Sequence, residues 1–269
     1  MTLSRRRHET PGDLVLGGVR TSTPRKSRDQ GEKPFWISFS DLMSALMVLF
    51  LVAMSVALLA VTKQVSEEER EDKDRAAAIA VLMQNLEKVV TQKEFEGVRV
   101  IDNTIDFGPR GRFEKEGQNM LSVQQRQLLR RFTPALLDQL RVSEAGKHWF
   151  KRAVVEGYAS QSGKYLFNLN LSLERSERVI CELLRTPPGE ELPLSELDRR
   201  LIATKFFVGG ASFNSLRSTA DDSRRIEFKL EFKSRQDRLD DGRKPPPVID
   251  EDALALALDP KERCPIFDR

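Results

Sequence analysis

Residues 35–62 decide the architecture of this chain, and they carry the sequence FWISFSDLMSALMVLFLVAMSVALLAVT. As an α-helix with about 1.5 Å of rise per residue, this segment is longer than the roughly 30 Å hydrocarbon core of a bilayer. A secretory signal peptide would have an apolar core of only about 7–15 residues, followed by a cleavage site of small residues. The sequence therefore predicts a retained transmembrane helix over residues 35–62.

Asp41 is the only ionisable residue within this segment. A carboxylate at membrane depth costs about 3 kcal/mol on insertion scales, so membrane proteins normally pair it, hydrate it or use it in transport. We therefore expect Asp41 to bind and release an ion close to the cytoplasmic face. The alternative is an interfacial acid that reaches water, because Asp41 lies only about two helical turns inside the segment.

The charges on either side of the segment predict its orientation. The downstream flank opens with acidic residues at positions 67–69, 71 and 72, whereas the upstream arm, residues 1–34, is basic. Basic residues remain on the cytoplasmic side, so we expect a single-pass protein with a cytoplasmic N-terminus. The arm lacks apolar periodicity and is expected to be disordered, with anionic lipid rather than nucleic acid as its partner. Its basic residues are Arg5, Arg6, Arg7, Arg20, Arg25, Lys26, Arg28 and Lys33.

The rest of the composition excludes several functional classes. His8 and His148 are the only histidines, so the sequence argues against a histidine-based catalytic triad and against a metal site with several histidine ligands. The sequence contains neither a phosphate-binding loop nor a dinucleotide-binding fingerprint. We expect a protein that is not an enzyme and that holds no metal or cofactor.

The two cysteines, Cys181 and Cys264, are far apart and do not form a disulfide framework. Cys181 falls in a predicted amphipathic helix, and Cys264 falls in the terminal tail. This placement favours a buried thiol and a free tail thiol. It leaves open a disulfide between the two in an oxidising compartment.

Residues 63–96 are predicted to form a linker helix that follows the membrane segment. Its apolar residues Ile79, Met83, Leu86 and Val90 recur every three or four positions. This stripe is narrower than the apolar face of a core helix, and its width favours the seam of a two-stranded homodimer. The alternative is a single linker helix surrounded by solvent.

From residue 97 the pattern changes to that of an α+β domain, which we place at residues 97–233. Extended chain is predicted over 98–107, 153–158, 205–208 and 225–233, the last with alternating apolar and charged residues. Helices are predicted over 122–140, with Ser122 as N-cap, and over about 171–185. These elements favour a sheet covered by helices on one side. The tail, residues 234–269, is charged and Pro-rich at 245–247, and it is expected to be flexible.

Two stretches carry a resemblance to a known family. Residues 36–47, WISFSDLMSALM, resemble the membrane helix of the MotB-like B subunits of ion-driven rotary stators. The Trp-Ile-Ser opening resembles the ZorB family of Zorya anti-phage defence more than flagellar MotB. Residues 155–158 (VEGY), 168–175 (NLNLSLER) and 224–227 (RRIE) resemble the signature of OmpA-like peptidoglycan-binding domains. The order of anchor, linker and OmpA-like domain is itself that of a stator B subunit.

For the membrane helix, the resemblance implies a motor subunit of the bacterial inner membrane with its C-terminal domain in the periplasm. Asp41 would accept an ion, a proton rather than Na⁺, and release it to the cytoplasm. Ser40 and Ser44 are candidate ligands along the ion path, although hydroxyls in membrane helices more often donate to the i−4 carbonyl.

The resemblance also implies partners. These are a second copy of the chain and a ring of ZorA-like or MotA-like membrane subunits, five around a B dimer, which turns as ions flow and signals phage attack. The open alternatives are a flagellar MotB-like stator subunit and a passive tether between the inner membrane and the cell wall.

For the C-terminal domain, the resemblance implies an OmpA-like α/β sandwich with a peptidoglycan site at Tyr158, Ser160, Asn168, Leu171 and Arg175. Arg175 would pair with a carboxylate of the peptide stem, and Asn168, Leu171 and Arg175 share one face of a helix. Ser160 stands where the family usually has the aspartate that binds the diaminopimelate ammonium group, so recognition is expected to be altered. The alternative is that Arg175 only bonds to the domain's own loop.

Overall fold

The computed structural model describes residues 33–187, 193–244 and 248–268. The chain divides into two compact units, with the boundary after Gln64. Apart from its last two positions, the predicted disordered arm lies outside the described residues. The Pro-rich stretch at 245–247 also lies outside them.

The first element is one continuous helix, α1, which spans Lys33–Val90. The predicted membrane helix and most of the predicted linker helix both fall within α1, with no break between residues 62 and 63. Within the described residues, α1 is the one helix long and apolar enough to cross a membrane. The described side chains between Trp36 and Thr62 are all exposed in the single chain. Their apolar faces are therefore available to lipid or to other helices.

The C-terminal end of α1 belongs to the core of the second unit. Leu82 and Leu86 are fully buried and Met83 is 8 % exposed, while Ile79 and Val90 pack against the same cluster. The predicted homodimer seam is therefore wrong for these residues, and so is the solvated linker. The stripe is narrow because only the last turns of a long helix contact the core.

A five-stranded mixed sheet forms the centre of the second unit, with the strand order β1-β2-β5-β3-β4. Strands β3 and β4 are parallel, and the other neighbouring pairs are antiparallel. The last strand in sequence, β5, lies between β2 and β3 and buries most of its residues on both faces. The strands are β1 Arg99–Ile101, β2 Thr104–Asp106, β3 Phe150–Gly157, β4 Phe206–Gly210 and β5 Ile226–Phe232.

Helices pack on this sheet around an aromatic core. The ring of Phe107 meets the rings of Phe132 and Phe228 edge to face, at centroid distances of 5.4 and 4.9 Å. Ser122 caps α2, as the sequence predicts, and it also exchanges reciprocal hydrogen bonds with Gln125. The α+β class is confirmed. The helices are α2 Val123–Val142, α3 Tyr165–Leu184, α4 Glu196–Lys205, α5 Ala220–Ser223, α6 Arg235–Arg243 and α7 Glu251–Ala257.

The tail after β5 is ordered over its described residues, which corrects the prediction of a flexible segment. Its charged residues find partners far away in sequence. On α6, Arg235 pairs with Glu68 at 2.7 Å and Arg238 with Glu71 at 2.9 Å. At the chain end, the Asp268 carboxylate lies 2.7 Å from Nη2 of Arg178.

A disulfide joins Cys181 on α3 to Cys264 in the tail, with a Cα–Cα distance of 5.9 Å. The expectation of a buried thiol and a free tail thiol is therefore wrong. Sequence spacing did not show the pairing because the two cysteines are 83 positions apart, and the chain between them folds back before the tail reaches α3.

Candidate functional site

A cavity of about 300 Å³ lies where the loop after β3 meets the start of α3. Gly157, at the end of β3, lets the two elements approach closely, because a Cβ there would stand 1.9 Å from the carbonyl oxygen of Ser172. Gly163 has a φ of +89°, which favours glycine, and it turns the loop into α3. The side chains that line the cavity include Glu116, Ser160, Asn168, Leu171, Arg175 and Arg224.

Four of the five residues predicted to bind peptidoglycan line this cavity. Asn168, Leu171 and Arg175 come from one face of α3, and Ser160 comes from the loop after β3. All four are buried. Nδ2 of Asn168 donates to the carbonyl oxygen of Ser162 at 2.7 Å and holds the loop against the helix. The fold therefore brings these residues together, while their role stays a prediction.

Tyr158 is placed differently from the prediction. Its backbone N–H donates to the carbonyl oxygen of Arg225, which extends the pairing of β3 with β5 beyond Gly157. Its ring then lies under the guanidinium of Arg225, 3.9 Å from Cζ to the ring centroid, and its hydroxyl donates to Glu156. Burial and this hydrogen bond raise the pKa of Tyr158. Tyr158 contributes only its carbonyl oxygen to the site, as an acceptor for Arg175.

Arg175 is fully buried, and the chain holds its guanidinium rigidly. Nε donates to the carbonyl oxygen of Gln118 at 2.8 Å, and Nη1 donates to that of Tyr158 at 2.6 Å. The ring of Phe113 covers one face, with its centroid 4.3 Å from Cζ. Nη2 is also buried, but it has no hydrogen-bond partner within the described part of the chain. Two of the three guanidinium nitrogens thus bond to the domain's own loops, as the alternative predicts, and the third does not.

The charge of Arg175 is poorly compensated by the chain. Burial and the positive charge of Arg224 lower the pKa of Arg175 to about 9. A buried donor without an acceptor costs about 1–3 kcal/mol, and more if the group is charged. A ligand carboxylate that reached Nη2 through the cavity would accept from it and supply the missing negative charge, so the arrangement favours an anionic group.

The sequence reasoning did not assign two further lining residues to the site, although Arg224 belongs to the RRIE stretch of the family signature. Arg224 lies at the cavity, with Nη2 2.6 Å from a carboxylate oxygen of Asp221. Glu116 lies in a loop without a recognisable motif, and its carboxylate accepts from the hydroxyl of Ser162 at 2.6 Å. The sequence gives only one weak signal for this loop, the Glu-Gly pair at residues 116 and 117.

Asp41 lies in different surroundings. Its side chain is exposed on α1, and the shallow groove beside it is lined by residues of the same helix, among them Ser44, Ala45 and Val48. The hydroxyl of Ser44 donates to the carbonyl oxygen of Ser40 at 2.8 Å, so this candidate ion ligand is already hydrogen-bonded within the helix. In the single chain, the described residues around Asp41 therefore form one wall of a site.

No family model matches the chain. Among solved structures, the periplasmic domain of Helicobacter pylori MotB is 11 % identical and overlaps 55 % of this chain and 92 % of its own, with a TM-score of 0.36. The OmpA-like domain of FopA1 from Francisella tularensis is 16 % identical and overlaps 51 % of this chain and 82 % of its own, with a TM-score of 0.32.

A sequence relative covers nearly the whole chain. It is the Zorya protein ZorB of Escherichia coli O139:H28, which is 36 % identical over 239 residues. The match covers 87 % of this chain and 96 % of the relative, and it includes both the membrane segment and most of the second unit. The chain therefore belongs to the ZorB family of Zorya proteins.

Proposed function

We propose that this chain is the B-type subunit of a Zorya anti-phage complex, in which Asp41 carries protons and the C-terminal domain binds peptidoglycan. The observation that carries the proposal is the unpaired, buried Nη2 of Arg175 at a cavity formed by residues of the ZorB-like domain. Two B subunits within a ring of ZorA-like, MotA-like subunits would couple proton flow to rotation of that ring.

The wall-binding half rests on charge and geometry. The cavity is lined by a guanidinium whose Nη2 has no hydrogen-bond partner in the described chain, and its volume suits the end of a peptide stem rather than a whole glycan strand. A stem carboxylate would complete the hydrogen bonding of Arg175. Since the pairing would take place out of water, it would be stronger than an exposed ion pair.

The proposed orientation has the second unit in the periplasm. The disulfide between Cys181 and Cys264 supports it, because disulfides persist in oxidising compartments such as the bacterial periplasm. The basic N-terminal arm supports it independently through the positive-inside rule.

The ion-carrying half rests on Asp41 and its helix. The exposed apolar faces around Asp41 fit the helices of a surrounding ring, which would remove the carboxylate from water and favour its protonated form. Loss and gain of the proton would then change the charge at a packed interface, which is a two-state switch. A membrane potential supplies about 2.3 kcal/mol per charge per 100 mV to drive the exchange in one direction.

Wall binding is tested by retention of the full-length protein on purified peptidoglycan sacculi. Arg175→Ala is expected to reduce retention about tenfold to a hundredfold, because a hydrogen bond to a charged group is lost. Arg178→Ala is the matched control: it removes another buried arginine of α3, but one that pairs with Asp268 in the tail. Thermal unfolding of both variants separates loss of binding from loss of fold.

Free stem peptide provides a test without any substitution. It is expected to compete the wild-type protein off the sacculi, and the same peptide with amidated carboxylates is expected to compete poorly. Equal competition by the two peptides, or equal retention of the Arg175 and Arg178 variants, would show that Arg175 is structural.

Proton transport is tested by Asp41→Asn in the complete operon, with proton flux and phage protection as readouts. The substitution keeps the size of the side chain and removes its proton exchange, so both readouts are expected to fall to background. Ser55→Ala is the control and is expected to retain both, because the Ser55 hydroxyl bonds to the Leu51 carbonyl and Ser55 lies outside the groove beside Asp41. Normal flux and protection in Asp41→Asn would leave only the passive tether.

A further inference from the structure

The cavity around Arg175 has an acidic side chain among its lining residues as well as basic ones. Among the described residues that line the cavity, the acidic one is Glu116. It lies in the same loop as Gln118, whose carbonyl oxygen accepts a hydrogen bond from Arg175. Glu116 is exposed, whereas Arg175 is fully buried. The cavity is therefore dipolar, with its positive group in the interior and its negative group at the mouth.

The position of Glu116 is fixed by the opposite loop. One carboxylate oxygen accepts from the hydroxyl of Ser162 at 2.6 Å, and the carbonyl oxygen of Ser162 accepts from Asn168 on α3. This chain of hydrogen bonds ties the mouth of the cavity to the helix that carries Arg175. A carboxylate can accept about four hydrogen bonds, so one bond from Ser162 leaves most of its capacity for a ligand.

We propose that Glu116 binds an ammonium group on the same ligand whose carboxylate pairs with Arg175. The site would then select a ligand with both charges, such as the amino-acid centre of a peptide stem with a free amine. This inference rests on the proposed wall binding and adds the residue that determines its specificity.

The proposal accounts for Ser160. A serine hydroxyl can accept a hydrogen bond, but it cannot supply the charge of the aspartate that the family resemblance implies at this position. Glu116 supplies a carboxylate to the same cavity from a different loop. The altered recognition expected from the sequence is thus explained by a carboxylate that comes from a different loop.

The size of the effect follows from exposure. An ion pair at an exposed side chain is weakened by water and salt, so we expect Glu116 to change affinity by about two- to fivefold. The contribution should fall as the ionic strength rises. The effect of Arg175, which is buried, should be larger.

The experiment compares two ligands and three proteins. Sacculi are used in native form and after chemical acetylation of their free amines, which removes the ammonium charge and leaves the carboxylates. Full-length wild type, Glu116→Gln and Glu114→Gln are tested for retention. Glu114→Gln is the matched control, because it makes the same charge change two residues away, at a side chain outside this cavity.

Wild type and Glu114→Gln are expected to bind native sacculi about two- to fivefold better than acetylated ones. Glu116→Gln is expected to bind both at the lower level, without discrimination. If wild type binds and Glu116→Gln discriminates as wild type does, the role of Glu116 is overturned while wall binding stands. If wild type binds neither form of sacculi, the proposed wall binding itself fails, and the inference fails with it.

Discussion

The two proposed sites differ in how much of each a single chain provides. Arg175 is fully buried and is held by the carbonyl oxygens of Gln118 and Tyr158 and by the ring of Phe113. Asp41 is exposed, and the groove beside it is lined by its own helix. The difference teaches that the proposed wall site is formed by one polypeptide, whereas a site that dehydrates Asp41 needs helices from other chains.

The largest effect that this comparison predicts is on ion flow. When the full chain is produced without its A-type subunits, proton flux is expected to be absent. The helices that would enclose Asp41 and complete an ion path come from those subunits. Retention on sacculi is expected to be unchanged, because the Arg175 site lies within the chain. Flux measurements in vesicles and sacculus pull-downs on one preparation check both halves. Flux from the B chain alone would break the comparison.

The next effect concerns the end of α1. Leu86→Ala is expected to lower the free energy of unfolding of the second unit by about 2–5 kcal/mol, because Leu86 is fully buried in the core. Val81→Ala is the control, since Val81 is 54 % exposed, and it is expected to change stability by less than about 0.5 kcal/mol.

Urea unfolding of Leu86→Ala and wild type at several protein concentrations measures this effect. A core role predicts midpoints that do not depend on concentration. If the wild-type midpoint instead rises with protein concentration, and Leu86→Ala abolishes that rise, the stripe on α1 would be a dimer seam.

A smaller effect is expected from the disulfide. Cys181→Ser combined with Cys264→Ser is expected to lower stability by about 2–4 kcal/mol, because the crosslink closes a long loop. Thermal unfolding with and without a reducing agent measures it: wild type should lose stability on reduction, and the double variant should not respond. A wild-type protein that is insensitive to reductant would show that the two thiols are not joined in solution.

The smallest effect concerns acid stability. Burial opposes ionisation of Asp106, but hydrogen bonds from the Gly108 amide, Arg217 and Arg99 outweigh it, so the pKa of Asp106 is lowered. A carboxyl with a lowered folded pKa stabilises the protein above its unfolded pKa, near 4, and this stabilisation is lost as the pH falls through the folded pKa.

Asp106→Asn is therefore expected to cost about 2 kcal/mol at neutral pH and to lose less stability than wild type below about pH 4. Asp102→Asn is the control, because Asp102 is exposed at a φ of 52° that asparagine tolerates well. Acid unfolding curves of the three proteins provide the measurement. Parallel curves for wild type and Asp106→Asn would contradict the assigned pKa shift.

Local patterns predicted the parts of the molecule that local forces determine. The strand β5, the N-cap at Ser122 and the grouping of Asn168, Leu171 and Arg175 on one helix face all follow from short-range geometry. The features that sequence reasoning missed depend on long-range partners. Glu116 is brought to the cavity by the fold, and the tail is ordered by ion pairs and a disulfide to distant residues. No spacing rule contains that information.

The position of β5 has a mechanical consequence. In sequence, the hairpin of β1 and β2 follows α1, whereas the cavity lies beyond the end of β3, and β5 stands between the two. If the cavity is fixed to the wall while the anchor is pulled, tension crosses the described sheet through the hydrogen bonds of β5 to β2 and β3. The last strand in sequence is thus the one that joins the two halves of the sheet, so a chain truncated before residue 226 would lose every hydrogen bond that links β2 to β3 through β5.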